Sequence, residues 1–119
     1  MARTISRMLT TDWLSPASNA LLIGWMVETR TGLKTGLKRL RAGLPADWKA
    51  GDKTGTTASA DISQPDRYND IAIAWPPSKP PIIITAYYES PVKSSNMRDE
   101  DQVVLAQVGT IAAQWVTTL

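Results

Sequence analysis

The sequence of 119 residues contains neither cysteine nor histidine. Without cysteine the chain can form no disulfide and can offer no thiol nucleophile or thiolate metal ligand. Without histidine it also lacks the commonest general base and the commonest metal ligand. These two absences exclude mechanisms that depend on a cysteine nucleophile, a histidine general base or a metal held by cysteine or histidine.

Long apolar runs are missing as well. The longest, residues 20–27 and 82–88, fall well short of the roughly 20 residues that cross a bilayer, so we expect no membrane span. No basic stretch and apolar core follow Met1, so no secretory signal is predicted. Thirteen Lys and Arg against eleven Asp and Glu give a net charge of only +2, which argues against nucleic-acid binding by the whole chain.

The remaining composition predicts a globular chain. An apolar content of 43% with five tryptophans is ample for a core, and the length fits one domain. An apolar pattern at Ile5, Met8 and Leu9 predicts a helix from Met1. A second helix should begin with Ser15 as N-cap and Pro16 at the first helical position.

The second helix should run to about Thr29 and be stopped by Gly32. Its predicted apolar stripe comprises Leu21, Leu22, Trp25 and Met26, and we expect Trp25 and Met26 to lie in the core.

Three strands are predicted next, at residues 49–57, 68–75 and 82–89, paired as an antiparallel meander. Ile71, Ile73 and Trp75 should share one face of the second strand. The connection at residues 58–67 is longer than a tight hairpin turn requires, and we expect this loop to overhang the first strand.

A last helix should have Asn96 as N-cap and Asp99 at its third position, with acidic residues favoured by the helix dipole. Its expected buried stripe comprises Val104, Val108, Ile111 and Trp115.

Basic residues concentrate between Lys34 and Arg41, in and beyond a tandem repeat of Thr-Gly-Leu-Lys at residues 31–38. A solvated loop face, a site for a substrate anion and a nucleic-acid contact all remain open readings of this cluster. Four extra residues in a surface loop cost little closure entropy, so the effect of the repeat should be local.

The most specific pattern is Lys53-Thr54-Gly55 within residues 48–56, Trp-Lys-Ala-Gly-Asp-Lys-Thr-Gly-Thr. Together with the blocks at residues 39–48, 68–77 and 81–88, it resembles class A serine β-lactamases, in which Lys-Thr-Gly forms one wall of the active site. The resemblance runs from Met1 to Leu119. Because such enzymes are roughly twice this long, it implies a single partial domain, residues 1–119, equivalent to their C-terminal part.

The resemblance implies an α/β (α+β) sandwich fragment of the β-lactamase/transpeptidase-like fold: a three-stranded antiparallel sheet packed with N-terminal helices and a C-terminal helix. In the family a strand from the N-terminal part flanks the equivalent of residues 82–88. That edge should be bare here, which predicts pairing with an N-terminal half or self-association.

The resemblance also implies site roles. Lys53 would hold an anionic substrate and acidify neighbouring hydroxyls, and Thr54 would bind the substrate carboxylate. Gly55 would let the substrate lie close, and Thr56 would lend its N–H to the oxyanion hole. Arg39 stands where some class A enzymes place an arginine that reaches the substrate carboxylate. Arg41 would serve structure.

The family's nucleophile is not found in these residues. Ser90-Pro91-Val92-Lys93 matches Ser-x-x-Lys by letters but follows the last strand, so we interpret it as chance. No Ser-Asp-Asn occurs, and Glu28, Glu89 and Glu100 lie in the wrong segments for the deacylating glutamate.

The implied reaction is acylation of a serine by a β-lactam and hydrolysis of the acyl-enzyme, without metal or organic cofactor, in an exported, periplasmic or secreted enzyme. The chain alone should be inactive. Two alternatives remain: a non-catalytic truncated or complementation fragment, and, from the letters of residues 52–56, the aspartyl-phosphate site of P-type ATPases.

Overall fold

The computed structural model describes residues 1–29 and 33–119. It contains three α-helices, two 3₁₀ turns and one antiparallel sheet. In chain order the elements are α1 Ala2–Thr10, α2 Pro16–Glu28, the 3₁₀ turns Thr35–Lys38 and Leu40–Gly43, the strands β1 Lys49–Thr57, β2 Arg67–Trp75 and β3 Ile82–Glu89, and α3 Asp99–Thr117. The predicted sandwich of helices and a three-stranded sheet is confirmed.

The sheet has the order β1-β2-β3. Gly51 lies opposite Ile73 and Lys53 opposite Ile71, so these residues share one face, while Asp52 and Thr54 point to the other. Among the described residues β1 and β3 each pair on one side only, which leaves an open edge on both strands.

Each face of the sheet carries its own core. On one face Ile73 is buried with Leu9 of α1 and Met26 of α2, and Trp75 packs partly against them. This confirms the shared face predicted for the second strand. On the other face Tyr68 and Leu105 are buried, together with Leu40, Ala72 and Ala86. The sheet is therefore sandwiched between α1 and α2 on one side and α3 with the 3₁₀ turns on the other.

The start of α2 confirms the predicted cap: Ser15 Oγ accepts from Ser18 N at 3.2 Å, with Pro16 in the first turn. The helix ends with Thr29 in the left-handed region, φ 39°, and the predicted stop at Gly32 lies outside the described residues. The expectation that Trp25 is a core residue is wrong, because its side chain is 62% exposed. Met26 alone of that pair is buried.

The last helix differs from the prediction in its start and in its buried face. It begins at Asp99 with Arg98 as N-cap, so Asn96 is not the cap. Its buried residues include Leu105, Gly109 and Val116, whereas Ile111 and Trp115 are 65% and 63% exposed. The predicted stripe is wrong because α3 packs against the Leu40–Gly43 turn through small residues such as Gly109. These small residues lie on a different face of the helix from Ile111 and Trp115.

The second copy of the tandem repeat is packed against β1. Thr35 and Gly36 are buried, and a Cβ at Gly36 would collide with the carboxylate of Asp52. A solvated loop face therefore describes Leu37 and Lys38, which are exposed, but not the start of this copy. None of the helices in residues 1–29 and 33–119 combines the length and apolarity that crossing a bilayer requires.

Candidate functional site

The predicted substrate strand lies at an open edge. β1 pairs with β2 alone among the described elements, so its other edge faces outward. Lys53, Gly55 and Thr56 are exposed and Thr54 is half-buried. An unpaired strand edge presents backbone donors and acceptors that an extended ligand can use. The arrangement brings four of the five predicted site residues onto one accessible strand.

The two polar side chains of the triplet have different partners. Lys53 Nζ donates to the carbonyl oxygen of Thr54 at 2.6 Å. The Thr54 and Thr35 hydroxyl oxygens are 2.8 Å apart. When the Thr35 hydroxyl donates in that pair, the proton of the Thr54 hydroxyl is available for an anion. Thr35, from the second repeat copy, is a neighbour of the site that the sequence reading missed.

Gly55 occupies open space. A Cβ built there would meet nothing nearer than the Cβ of Asn69, at 4.0 Å. By contrast, a Cβ at Gly51 on the same strand would press on atoms of Met26 and Val27 within 2.9 Å. The fold therefore requires a glycine at position 51 but not at position 55.

Arg39 lies behind the strand rather than on a solvated loop. It is 0% exposed and donates through Nη1 to the carbonyls of Gly55 and Asn69, at 3.1 and 2.9 Å. Its Nη2 donates to Thr56 Oγ1, and its Nε to Gln102 Oε1 at 3.3 Å. Burial lowers the pKa of this guanidinium below its ordinary value. The side chain thus bridges β1, β2 and α3.

Arg41 confirms the structural role expected of it. Its Nη1 donates to the carbonyl of Val27 at 3.1 Å and to Asp52 Oδ1 at 3.2 Å. Asp52, directly before Lys53, is 4% exposed, and burial raises the pKa of its carboxyl despite this ion pair. Arg41 ties β1 to the end of α2.

Asp70 is a second buried carboxyl near Arg39, with 0% exposure. Its Oδ2 accepts from the backbone N–H of Leu40 at 3.0 Å, while Oδ1 has no hydrogen-bond partner in the described structure. Burial, with a further contribution from Asp52, raises the pKa of Asp70 to about 7. The sequence alone assigned no role to this side chain.

The formal Ser-x-x-Lys match at residues 90–93 holds two unconnected side chains. Ser90 Oγ donates to Asp101 Oδ1 at 2.8 Å, and Lys93 Nζ donates to Asp66 Oδ1 at 2.6 Å. A nucleophilic serine needs a base within hydrogen-bond reach, and Lys93 is occupied elsewhere. This geometry agrees with the interpretation of the match as chance.

Within the described ranges, no three His, Cys, Asp or Glu side chains converge on a point that could hold a metal ion. The polar groups that this strand presents are the ammonium of Lys53, the hydroxyls of Thr54 and Thr56 and the backbone of an open strand edge. Groups of this kind can hold an anion and polarise a carbonyl. They include no activated nucleophile.

Comparison with known proteins gives one consistent family. A sequence profile of the beta-lactamase enzyme family matches residues 1–116. A β-lactamase of Citrobacter koseri is 33% identical over 110 residues, covering 92% of this chain and 34% of that protein. An ancestral class A β-lactamase is similar in structure with a TM-score of 0.77, at 43% identity, covering 97% of this chain and 39% of that one.

A β-lactamase from Burkholderia vietnamiensis gives a TM-score of 0.82 at 35% identity, covering 98% of this chain and 38% of that structure. The chain belongs to the class A β-lactamase family. It spans about a third of the length of the curated relative and somewhat more of the two solved chains.

Proposed function

We propose that β1 is the β-lactam-binding wall of a serine β-lactamase, that the acylated serine is supplied by an N-terminal portion of such a domain, and that the 119-residue chain alone does not hydrolyse β-lactams. The observation that carries the proposal is the open edge of β1, where Lys53, Thr54 and Gly55 stand together over a buried arginine.

The binding step follows from charge and space. The exposed Lys53 ammonium attracts the substrate carboxylate, and the Thr54 hydroxyl, when Thr35 donates to it, directs a proton toward the same anion. The empty position at Gly55 lets the fused ring system approach the strand. Thr56, held from behind by Arg39, offers its backbone N–H to the developing oxyanion.

Arg39 acts in this proposal through Thr56 rather than by direct contact with the substrate. Its side chain is fully buried, and its Nη2 group already donates to Thr56 Oγ1. A hydroxyl that accepts from a guanidinium is polarised and can direct its own proton to a carboxylate. The positive charge of Arg39 thereby reaches the substrate through one intervening hydroxyl.

The N-terminal portion would dock beside Lys53, where an apolar pocket of about 400 Å³ lies between α1, α2 and the sheet. Its lining includes Met8, Trp25, Ile71 and Lys53. A segment that fills this pocket could place a serine near the Lys53 ammonium. The open edge of β3 and the exposed Trp115 of α3 offer further surface to the same portion.

The experiment joins this chain to the N-terminal portion of the ancestral class A β-lactamase, through a flexible linker, and follows hydrolysis of a chromogenic cephalosporin. We expect no hydrolysis by the chain alone and hydrolysis by the fusion. The ancestral N-terminal portion joined to its own C-terminal portion serves as the positive control. Hydrolysis by the chain alone, or none by the fusion when the control is active, contradicts the proposal.

Two variants of the fusion test whether the hydrolysis depends on β1. Lys53→Ala in the fusion should lower kcat/KM at least 100-fold, because the cation for the substrate is lost. Gly55→Ala should lower kcat/KM without lowering the unfolding midpoint of the chain, since the fold leaves room there. If Gly55→Ala leaves kcat/KM unchanged, the substrate does not lie along this strand.

The alternative is a non-catalytic polypeptide that self-associates through the open β3 edge. An unpaired strand rich in β-branched residues, such as Ile82, Ile83 and Ile84, favours edge-to-edge pairing. Sedimentation of the chain between 1 and 100 µM, a range of the order at which edge association appears, separates the two. Dimers abolished by Tyr87→Lys, a change at an exposed position of β3, with a fusion that stays inactive, would support the alternative.

A further inference from the structure

Two loops leave the same end of the sheet. Arg67, the first residue of β2, lies opposite Thr57 at the end of β1 and opposite Glu89 at the end of β3. The end of the β1–β2 loop, residues 58–66, therefore lies beside the start of the β3–α3 loop, residues 90–98. This end of the sheet adjoins Thr56 of the proposed substrate strand.

Asp66, the last residue of the β1–β2 loop, joins the two loops. Its carboxylate accepts from Lys93 Nζ at 2.6 Å through Oδ1 and from Ser94 N at 2.7 Å through Oδ2. Its backbone carbonyl accepts from Ser90 N at 2.8 Å. Three bonds from one residue thus run to three points of the β3–α3 loop.

The carboxylate of Asp66 is 0% exposed, whereas the Lys93 side chain retains 28% exposure. A buried carboxylate is costly unless it is paired and hydrogen-bonded, and here both oxygens have partners. The Lys93 hydrogen bond holds the pKa of Asp66 below its ordinary value, so the carboxylate is charged at neutral pH. A surface loop would not bury such a group without these specific partners.

We propose that Asp66 is a positioning residue that fastens the β1–β2 loop to the β3–α3 loop and so fixes the rim of the substrate strand, limiting the size of the β-lactam side chain that fits beyond Thr56. The limit on size depends on the function proposed above; the fastening itself does not. The loop that it restrains carries exposed residues in its middle, including Ile62 at 88% exposure, and these are accessible to a substrate bound along the strand.

The fastening is tested in the chain alone by amide hydrogen exchange over residues 58–66 and 90–94. Asp66→Asn keeps the shape and removes the charge, and Lys93→Met removes the partner from its more exposed side. Either should accelerate exchange in both segments at least tenfold. Asp61→Asn is the matched control, since Asp61 is an exposed carboxylate of the same loop whose side chain accepts its hydrogen bonds from Ser63 of that loop.

The control should stay within twofold of the parent chain. Unchanged exchange in both Asp66→Asn and Lys93→Met, or equal acceleration in Asp61→Asn, overturns the fastening. Lys93→Arg keeps the cation and should restore slow exchange, which separates loss of the ion pair from general loosening.

The effect on substrate size is tested in the active fusion with two cephalosporins that differ only in the bulk of the acylamino side chain. Asp66→Asn should raise kcat/KM for the bulky compound relative to the small one about tenfold, through KM, with kcat for the small compound little changed. Lys93→Arg should keep the parent ratio.

A fusion without any activity overturns the proposed function and the substrate role of Asp66 together, while exchange still decides whether the loops are fastened. If the fusion is active but Asp66→Asn leaves the ratio of kcat/KM for the bulky and the small compound unchanged, only the substrate role of Asp66 is overturned.

Discussion

Arg39 donates from Nη2 to the side-chain hydroxyl of Thr56, although the two residues lie 17 positions apart. The same guanidinium donates to the carbonyl of Gly55, so one buried cation supports the end of the proposed substrate strand from behind. A planar fork with several donors suits this arrangement better than a point charge.

Arg39→Ala should destabilise the chain by about 3 kcal/mol, because the carbonyls of Gly55 and Asn69 lose their hydrogen bonds from a fully buried guanidinium. Arg39→Lys should cost about 1–2 kcal/mol, since an ammonium cannot span the same acceptors. Lys38→Ala, at the exposed neighbouring position, should stay within about 0.5 kcal/mol. Urea unfolding measures all three, and an Arg39→Ala chain as stable as the parent would refute the supporting role.

The stability of the chain should fall as pH rises from about 4.5 to 7.5. The pKa of Asp70 is about 7 in the fold against an ordinary 3.8, so the folded chain holds a proton that the unfolded chain releases. The stabilisation is complete below the unfolded pKa and is lost as pH passes the folded one. Three pKa units correspond to an upper bound of about 4 kcal/mol.

Asp70→Asn should flatten this profile, because the amide oxygen can still accept from Leu40 N without titrating. Burial also raises the pKa of Asp52, so the stability of the Asp70→Asn chain should still fall with rising pH, but less steeply than that of the parent chain. Urea midpoints at five pH values measure both chains. A parent chain that gains stability over this range, or an unchanged slope in the variant, would contradict the buried, protonatable state of Asp70.

Two helical glycines should respond oppositely to alanine. A Cβ at Gly109 of α3 would collide with the backbone carbonyl of Leu40, so Gly109→Ala should destabilise the chain by about 2 kcal/mol or more. Gly24 of α2 has nothing within 4 Å of such a Cβ, so Gly24→Ala should stabilise by about 0.5–1 kcal/mol. Thermal unfolding reports both, and a neutral Gly109→Ala would disprove the close approach of α3 to Leu40.

The buried face of α3 can be checked with a pair of aliphatic residues. Leu105, 1% exposed, lies in the core with Leu40, and Leu105→Ala should cost about 3 kcal/mol. Because Ile111 is 65% exposed, Ile111→Ala should lower the free energy of unfolding by no more than about 0.5 kcal/mol. If the two costs are reversed, the helix packs through the other flank.

The strands could be predicted from the sequence because their apolar alternation and turn residues agree with the family blocks; the first and third match at both ends, and the second begins at Arg67. The face of α3 could not. Its sequence carries two adjacent apolar stripes, and small residues such as Gly109 and Ala113, not the bulky ones, admit the neighbouring turn. The close approach of the α3 backbone to the Leu40–Gly43 turn determines which face of the helix is buried. The spacing of apolar residues in the sequence does not reveal this approach.

The candidate site shows the same division. Lys53, Thr54 and Gly55 are contiguous, so a local pattern identified them. The burial of Arg39 depends on carbonyls 16 and 30 residues away, and the pairing of Asp66 with Lys93 joins two loops without any periodic signal. Such long-range polar contacts become visible only when the sheet register is known.

The central claim is that this chain holds a β-lactam-binding wall and lacks the nucleophile. Its most direct test is the rate of chromogenic cephalosporin hydrolysis by the chain alone and by its fusion to the N-terminal portion of the ancestral relative. The account predicts no hydrolysis by the first and hydrolysis dependent on Lys53 by the second. Hydrolysis by the chain alone, or by a fusion indifferent to Lys53→Ala, would contradict it.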